Sequence, residues 1–131
     1  MSATVYLITG TNRGIGLALT TELASRPDAI VFAGARNPAQ ASDLKALADA
    51  HPGRIHVVNV VSGDRANNDA AIQEIEKVAG RLDVVIANAG IGSDLDPALE
   101  VKPETMIRDV DAYFQVNTIG PLVLFQAAHR L

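Results

Sequence analysis

The first residues with chemical potential form a glycine-rich segment near the amino terminus, TGTNRGIG at positions 9–16. An apolar run precedes the segment and an Ala- and Leu-rich stretch follows it, so the glycines lie between a strand and a helix. Gly10 allows the sharp exit from the strand, Gly14 leaves room for a ligand beside the backbone, and Gly16 allows close packing of the helix. A glycine turn that serves geometry alone is the alternative.

The amino end of a helix presents free N–H groups and a partial positive charge, which suit a pyrophosphate. The position of the glycines therefore favours cofactor binding, and the absence of a following Gly-Lys-Ser/Thr excludes a P-loop. The residues predicted to bind the cofactor here are Gly10, Thr11, Asn12, Arg13, Gly14, Ile15 and Gly16.

The elements that must position this loop follow from four short, β-branched apolar runs, which alternate with segments of helical spacing. The runs cover residues 5–9, 30–33, 55–61 and 84–87, and the helical segments cover 15–25, 41–51 and 70–80. Residues 91–104 form the longest predicted loop, and a last helix follows from about Thr105. This order predicts one α/β domain over residues 1–131, a Rossmann-like, doubly wound parallel sheet of the βαβαβαβα type.

The spacing Gly-x-x-x-Gly-x-Gly resembles the signature of the short-chain dehydrogenase/reductase family. The sequence Ala87-Asn88-Ala89-Gly90 after the fourth run resembles the family's Asn-Asn-Ala-Gly turn, with Ala87 in place of the first Asn. The resemblance implies a nicotinamide cofactor, with Asn88, Ala89 and Gly90 near its ribose and nicotinamide. Asn88 is also expected to bridge strand ends through side-chain-to-backbone hydrogen bonds. The strings LDVVIANAG and VNTIGPLVLFQA resemble most the fungal ketoreductases related to norsolorinic acid reductase.

The end of the second run indicates which nicotinamide cofactor is preferred. In dinucleotide-binding folds that use NAD, an acidic residue at about this position holds the ribose 2′-hydroxyl. In this chain the position falls near Ala35, which has no carboxylate. Arg36 follows, and Arg13 lies in the glycine loop, so two guanidinium groups are available for a 2′-phosphate. Two solvated surface arginines are the alternative. Taken together the residues predict NADP(H) rather than NAD(H), and they disfavour a methyltransferase, which needs an acidic residue for a ribose diol.

Two further positions are interpreted through the resemblance. In much of the family an aspartate stands near Val61 and its neighbours contact adenine; here the backbone of Val61, or Ser62, would have to serve. Asn117 stands where the family has an asparagine that holds a water of the proton relay. Pro121 lies four residues later and lacks an N–H, so it is expected to free the Asn117 carbonyl and kink the helix. Asn117 is thus the one predicted catalytic residue.

The rest of the family's catalytic set is absent from this sequence. Relatives carry a Ser on the next strand and then Tyr-x-x-x-Lys, whereas Tyr6 and Tyr113 are followed four residues on by Gly10 and Asn117. We therefore expect an amino-terminal half, truncated before the fifth strand, that is inactive by itself. The resemblance implies that the complete enzyme transfers hydride between NADP(H) and a small ketone, aldehyde or alcohol. The alternative is a non-catalytic NADP(H)-binding or dimerising module.

Composition narrows the remaining classes of function. The net charge is −4 and the basic residues are scattered, so no nucleic-acid partner is expected. The chain has no cysteine, its three histidines lack metal-ligand spacing, and no apolar run approaches the ~20 residues of a membrane span. A cytoplasmic protein is expected, with homo-oligomers formed through the last helix. The apolar residues expected to be uncovered there are Val116, Ile119, Leu122, Val123 and Leu124.

Overall fold

A computed structural model describes residues 2–92 and 100–131. Its centre is a parallel four-stranded sheet in the order β3-β2-β1-β4. The strands are β1 (Thr4–Thr9), β2 (Ala29–Ala35), β3 (Ile55–Asn59) and β4 (Val84–Ile86). The helices are α1 (Gly14–Ala24), α2 (Ser42–Ala50), α3 (Arg65–Ala79), α4 (Pro103–Tyr113) and α5 (Gly120–Ala128), with a short 3₁₀ turn at Pro38–Gln40.

The apolar runs become strands because both faces of the sheet are covered. Leu7 and Phe32 point to one face, where they pack with residues of α3 and α5. Their chain neighbours Ile8 and Val31 point to the other face and pack with α1 and α2, as the period of two in a strand requires. All four are fully buried, and each contributes about 1.5–3 kcal/mol by leaving water. The predicted Rossmann-like fold is confirmed.

The amino-end edge of the sheet is closed by a charged pair. The Asp83 carboxylate accepts a hydrogen bond from the Val5 N–H at 2.8 Å and from Nε of Arg81 at 3.0 Å. Arg81 also donates to the carbonyl of Ala3 at 3.1 Å. The Val5 amide, and then the Arg81 guanidinium, hold the pKa of Asp83 below its usual value. Strand β1 is thereby joined to the segment that leads into β4.

The last helical region changes register where the sequence predicts a kink. Phe114–Ile119 forms a π-helix between α4 and α5, and the Gly120 N–H donates to the carbonyl of Gln115, five residues before it. In this register the N–H that would serve Val116 belongs to Pro121, which has none. The hydroxyl of Ser62 donates to the Val116 carbonyl at 2.8 Å instead. Pro121 therefore leaves the carbonyl of Val116 without a backbone donor. That Pro121 also frees the Asn117 carbonyl to bind a water stays a prediction.

Several predicted boundaries were wrong. Strand β3 ends at Asn59 rather than residue 61. Helix α3 begins at Arg65, five residues earlier than predicted, because Asp64 caps it by accepting the Asn67 N–H at 3.0 Å. Leu124, expected to be uncovered, is buried against α3. The predicted loop at 91–104 lies partly outside the described residues.

The apolar side chains that are exposed near the last helices differ from those expected. Of the five predicted, Leu122 is exposed, whereas Val116, Ile119 and Val123 are half-buried. The other large exposed apolar residues of α4, the π-helix and α5 are Met106, Ile107, Val110, Phe114 and Phe125. Within the described ranges, no helix has the length and apolar character needed to cross a membrane.

Candidate functional site

The glycine loop lies at the carboxyl edge of the sheet, between β1 and α1. Gly10 and Gly14 have φ angles of +70° and +57°, a conformation that side-chain-bearing residues rarely adopt. A Cβ on Gly10 would lie 2.9 Å from the Cα of Ala89, so the backbones of the two loops touch here. A Cβ on Gly14 would meet nothing within 4 Å, because this part of the loop faces open space.

Thr11 anchors the loop to the neighbouring strand. Its backbone N–H and its hydroxyl both donate to the carbonyl of Gly34 in β2, each at 3.0 Å. The residue is completely buried. Thr11, named from the sequence as a ligand-binding residue, therefore positions the loop rather than presenting its side chain to a ligand.

The amino end of α1 is open. No side chain caps it at Arg13, and its first turn contains no acidic residue. Asn12, Arg13, Gly14 and Ile15 are all exposed. Since the first N–H groups of a helix have no partner within the helix, this end offers donors and a partial positive charge to an anion.

Asn88 joins the turn after β4 to the glycine loop. Its side-chain amide donates to the carbonyls of Thr9 at 3.0 Å and Gly10 at 3.3 Å, which confirms the predicted bridge between strand ends. The N–H of Ala89 donates to the Thr9 hydroxyl at 3.0 Å. A Cβ on Gly16 would collide with the Gly10 carbonyl and lie 2.7 Å from the Asn88 amide. The close packing expected of Gly16 is thus made with these loops at the strand ends.

Asn117 connects the π-helix to the segment that follows this turn. Its side chain accepts a hydrogen bond from the Ile91 N–H and donates to the Ile91 carbonyl, both at 2.8 Å. A Cβ on Gly90 would lie 3.2 Å from the same side-chain oxygen. The side chain of Asn117 is therefore used to hold the turn, and its contribution to any proton transfer falls to its backbone carbonyl.

The two arginines predicted to bind the 2′-phosphate are exposed, and neither is paired with a carboxylate in the described residues. In residues 2–92 and 100–131, neither Arg13 nor Arg36 forms an ion pair, whereas Arg26, Arg65, Arg81 and Arg108 each do. Arg36 directly follows β2, and its carbonyl accepts a hydrogen bond from the side chain of Asn59 at 2.9 Å. Ala35 is buried and brings no carboxylate beside it.

The backbone of Val61 is engaged within the protein. Its N–H donates to the side-chain oxygen of Asn67 at 2.6 Å, and its carbonyl accepts from the side chain of Asn68 at 2.8 Å and the N–H of Asp64 at 3.1 Å. Since Ser62 donates to the Val116 carbonyl, its hydroxyl hydrogen is committed as well. Polar contacts from the Val61 backbone to a base, as the sequence predicted, are therefore not supported, and Val61 offers apolar surface only.

Three asparagines that organise this edge were missed from the sequence. Asn59 donates to the carbonyls of Ala35 and Arg36, and its oxygen accepts from Asn67 at 2.6 Å. Asn68, in the first turn of α3, is buried and donates to the carbonyls of Val61 and Asp64. For Asn67 and Asn68 the signal was present in the segment DRANND, since Asp and Asn at the start of a helix commonly bind backbone groups of the preceding turn. For Asn59, at the end of β3, the sequence carried no such signal.

Comparison with sequence families gives one match over nearly the whole chain. The profile described as short chain dehydrogenase matches residues 4–131. An oxidoreductase of Schizosaccharomyces pombe with no described activity is 38% identical over 97% of this chain and 48% of its own length. A norsolorinic acid ketoreductase of Aspergillus parasiticus is 37% identical over 98% of this chain and 47% of its own. The chain thus spans about half the length of these relatives.

Solved structures agree with the sequence relatives. The crystal structure of NADPH-bound carbonyl reductase from chicken fatty liver superposes with a TM-score of 0.84 at 32% identity, covering 99% of this chain and 48% of that one. The carbonyl reductase Sniffer of D. melanogaster gives 0.83 at 30% identity, covering 100% and 52%. Similarity of fold and sequence therefore extends over the whole described part of the chain.

Proposed function

Since the chain belongs to the short-chain dehydrogenase family, we propose that its residues 1–131 form one unit that binds NADP(H) at the carboxyl edge of the sheet. The unit serves a carbonyl reductase or alcohol dehydrogenase, in which hydride passes between the cofactor and a small ketone, aldehyde or alcohol. The carbonyl reductase that resembles it in structure was solved with NADPH bound, which supports this cofactor. We place the protein in the cytoplasm.

The observation that carries the proposal is the pair of uncommitted arginines beside an open helix end. Arg13 and Arg36 have no carboxylate partner in the described ranges, and Ala35 occupies the position where a carboxylate would repel a 2′-phosphate. A guanidinium binds a phosphate through charge-assisted hydrogen bonds, and two of them favour the phosphorylated cofactor. The open space at Gly14 allows a diphosphate to approach the first turn of α1.

Each residue then has a defined task. Asn12, Arg13, Gly14 and Ile15 surround the diphosphate, with Thr11 holding their loop on Gly34. Asn88, Ala89 and Gly90 form the wall on the ribose and nicotinamide side, because Asn88 fixes that turn to the glycine loop.

Bound NADPH would supply the hydride, and the protein would orient it. Asn117 would hold a water on its backbone carbonyl while its side chain fixes Ile91. Because no Tyr-x-x-x-Lys occurs in the 131 residues, we expect binding without turnover. Robust reduction of a carbonyl panel with NADPH by this chain would refute that expectation.

Titration calorimetry tests the cofactor assignment. We expect NADPH to bind the 131-residue chain at least about 10-fold more tightly than NADH. Replacing Arg36 by Gln should weaken NADPH binding by about 10-fold or more and leave NADH binding unchanged, because a lost charge-assisted bond is worth roughly 1.5–3 kcal/mol. Arg130→Gln, at an exposed arginine near the end of the chain, is the matched control. No affinity for either dinucleotide would refute the proposal, and tighter NADH binding would refute the role of the arginines.

The exposed apolar face of the last helices favours a second candidate, a module that pairs with another copy of this chain. Leu122 is 53% and Phe125 is 65% exposed, and apolar patches of this kind commonly mark interfaces. Light scattering should then show a dimer that Leu122→Glu converts to a monomer. Val78→Glu, at an exposed apolar residue of α3, should leave the dimer intact. A monomeric wild-type chain would refute this candidate and leave the cofactor proposal untouched.

A further inference from the structure

A small cavity lies between the carboxyl ends of the strands and the start of α5, behind the two loops of the candidate site. Its volume is about 10 Å³, and Thr9, Ser62, Asn68, Ala89 and Gly120 are among the residues that line it. This is close to the smallest volume that holds a single water molecule. No lining residue carries a charge, so the cavity has no counter-charge for an ion.

Asn68 lines this cavity, and its side-chain oxygen accepts no hydrogen bond within the described residues. The residue is completely buried, and its side-chain amide donates to the carbonyls of Val61 and Asp64, both at 2.8 Å. These two bonds fix the orientation of the amide, because the flipped arrangement would place its oxygen against two carbonyls. Within residues 2–92 and 100–131, Oδ1 of Asn68 has no donor. A buried acceptor in this state normally binds an ordered water.

Thr9 and Ser62 supply the complementary groups. Thr9 is 4% exposed, and its hydroxyl oxygen accepts from the Ala89 N–H. The hydroxyl hydrogen has no acceptor in the part of the chain that the structure describes. Ser62 uses its hydroxyl hydrogen on the Val116 carbonyl, so its oxygen retains lone pairs. The cavity therefore offers one donor and two acceptors, which a single water can satisfy with its two hydrogens and one lone pair.

We propose that the cavity is a binding site for one buried water molecule, which donates to Asn68 and Ser62 and accepts from Thr9. The water joins α3, the end of β1 and the turn that supports the π-helix. By directing the Thr9 hydrogen toward the cavity, it leaves a lone pair of Thr9 aimed at the Ala89 N–H. The site thus positions the turn that contains Ala89, and it does so without depending on the bound cofactor.

A crystal structure of the 131-residue chain at about 1.8 Å resolution or better tests the proposal directly. One ordered water should appear within about 2.7–3.2 Å of both the Asn68 side-chain oxygen and the Thr9 hydroxyl. An empty cavity, or a protein group that donates to the Asn68 oxygen, would overturn the proposal. Neither result would bear on NADP(H) binding, which calorimetry measures separately.

Thermal unfolding supplies an independent test. Thr9→Val should lower Tm by about 4 °C, whereas Thr9→Ser, which keeps the hydroxyl, should lower it less. Thr9 and Asn68 share no direct hydrogen bond, so the proposed water is the partner through which their hydrogen bonds are expected to be coupled. The loss of Tm in the double variant Thr9→Val with Asn68→Leu should fall short of the sum by about 2 °C or more.

Asn59 provides the matched control for this coupling. It also bridges two carbonyls through its side-chain amide, but it does not line the cavity. Thr9→Val combined with Asn59→Leu should therefore be additive. Additivity in the Asn68 pair as well would contradict the proposal. Should a double variant fail to fold, the electron density of the wild-type chain decides the question.

Discussion

The two edges of this sheet are closed in different ways. At the amino-end edge, Arg81 and Asp83 meet at 2.9 Å, and each also binds the backbone that leads into or through β1. At the carboxyl-end edge, neutral groups hold the loops together. Thr11 binds the Gly34 carbonyl, and Asn88 binds the Thr9 carbonyl.

The difference lies in where charge is used. At the amino edge the guanidinium and the carboxylate neutralise each other within the fold. At the carboxyl edge, Arg13 and Arg36 form no ion pair in the described ranges. An edge that closes its loops with amides and hydroxyls leaves its positive charge available, which is the arrangement an anionic ligand requires. In open α/β sheets ligands bind at this edge.

The largest effect is expected from Gly16, because the carboxyl edge depends on close backbone approach. Gly16→Ala places a methyl group against the Gly10 carbonyl and the Asn88 amide, and we expect it to lower the free energy of unfolding by about 3 kcal/mol. Gly14→Ala is the matched control, since its methyl group meets open space. Its positive φ should cost about 1 kcal/mol. Urea denaturation measures both, and equal losses would contradict the packing argument.

A smaller effect is expected from the link between Asn117 and Ile91. Asn117→Ala removes two hydrogen bonds to an exposed backbone segment, which should lower the free energy of unfolding by about 1–2 kcal/mol. Asn12→Ala, at an exposed residue of the glycine loop, should have almost no effect on stability. Because the bonds at this edge are neutral, the loss should be the same in low and high salt. A strongly salt-dependent loss would remove the contrast between the edges.

Much of this contrast could be read from the sequence. Continuous β-branched runs predict buried parallel strands because both faces must be covered. The glycines predict a close approach because only glycine permits it. The position of Asn88 after an apolar run predicts a side-chain bridge. In each case a local residue type has one dominant structural use, so the inference needs no knowledge of distant contacts.

The rest depends on tertiary contacts that local pattern does not encode. The sequence places a kink at Pro121 but cannot show that the helix widens by one residue and that Ser62, 54 positions before Val116, satisfies the exposed carbonyl. It cannot show that Thr11 is buried and binds the Gly34 carbonyl of β2. Nor can it show that the side chains of Asn67 and Asn68 form hydrogen bonds with the backbone of Val61. Leu124 was expected to be uncovered because the rest of the relatives' length would have to cover it, but α3 packs against α5 and buries it.

The smallest effect is expected at the amino edge, and it depends on pH. The pKa of Asp83 is lower in the folded chain than its ordinary value, because the Val5 N–H and Arg81 favour the carboxylate. The stabilisation is therefore complete above the unfolded-state pKa, near pH 4, and is lost as the pH falls through the lower folded-state pKa. Asp83→Asn should lower Tm by a few degrees at pH 7 and should narrow its difference from wild type below about pH 4.

Asp49→Asn, at an exposed carboxylate near the end of α2, is the control for the substitution and should leave Tm at pH 7 almost unchanged. High salt should reduce the Asp83 effect at pH 7, since Arg81 and Asp83 are partly solvated. It should leave the Gly16→Ala loss unchanged, because that loss comes from a steric collision. If both losses respond to salt alike, charge does not distinguish the two edges. If only the Asp83 effect responds, charged groups stabilise the fold at the amino edge, whereas at the carboxyl edge they remain available to bind an anionic ligand.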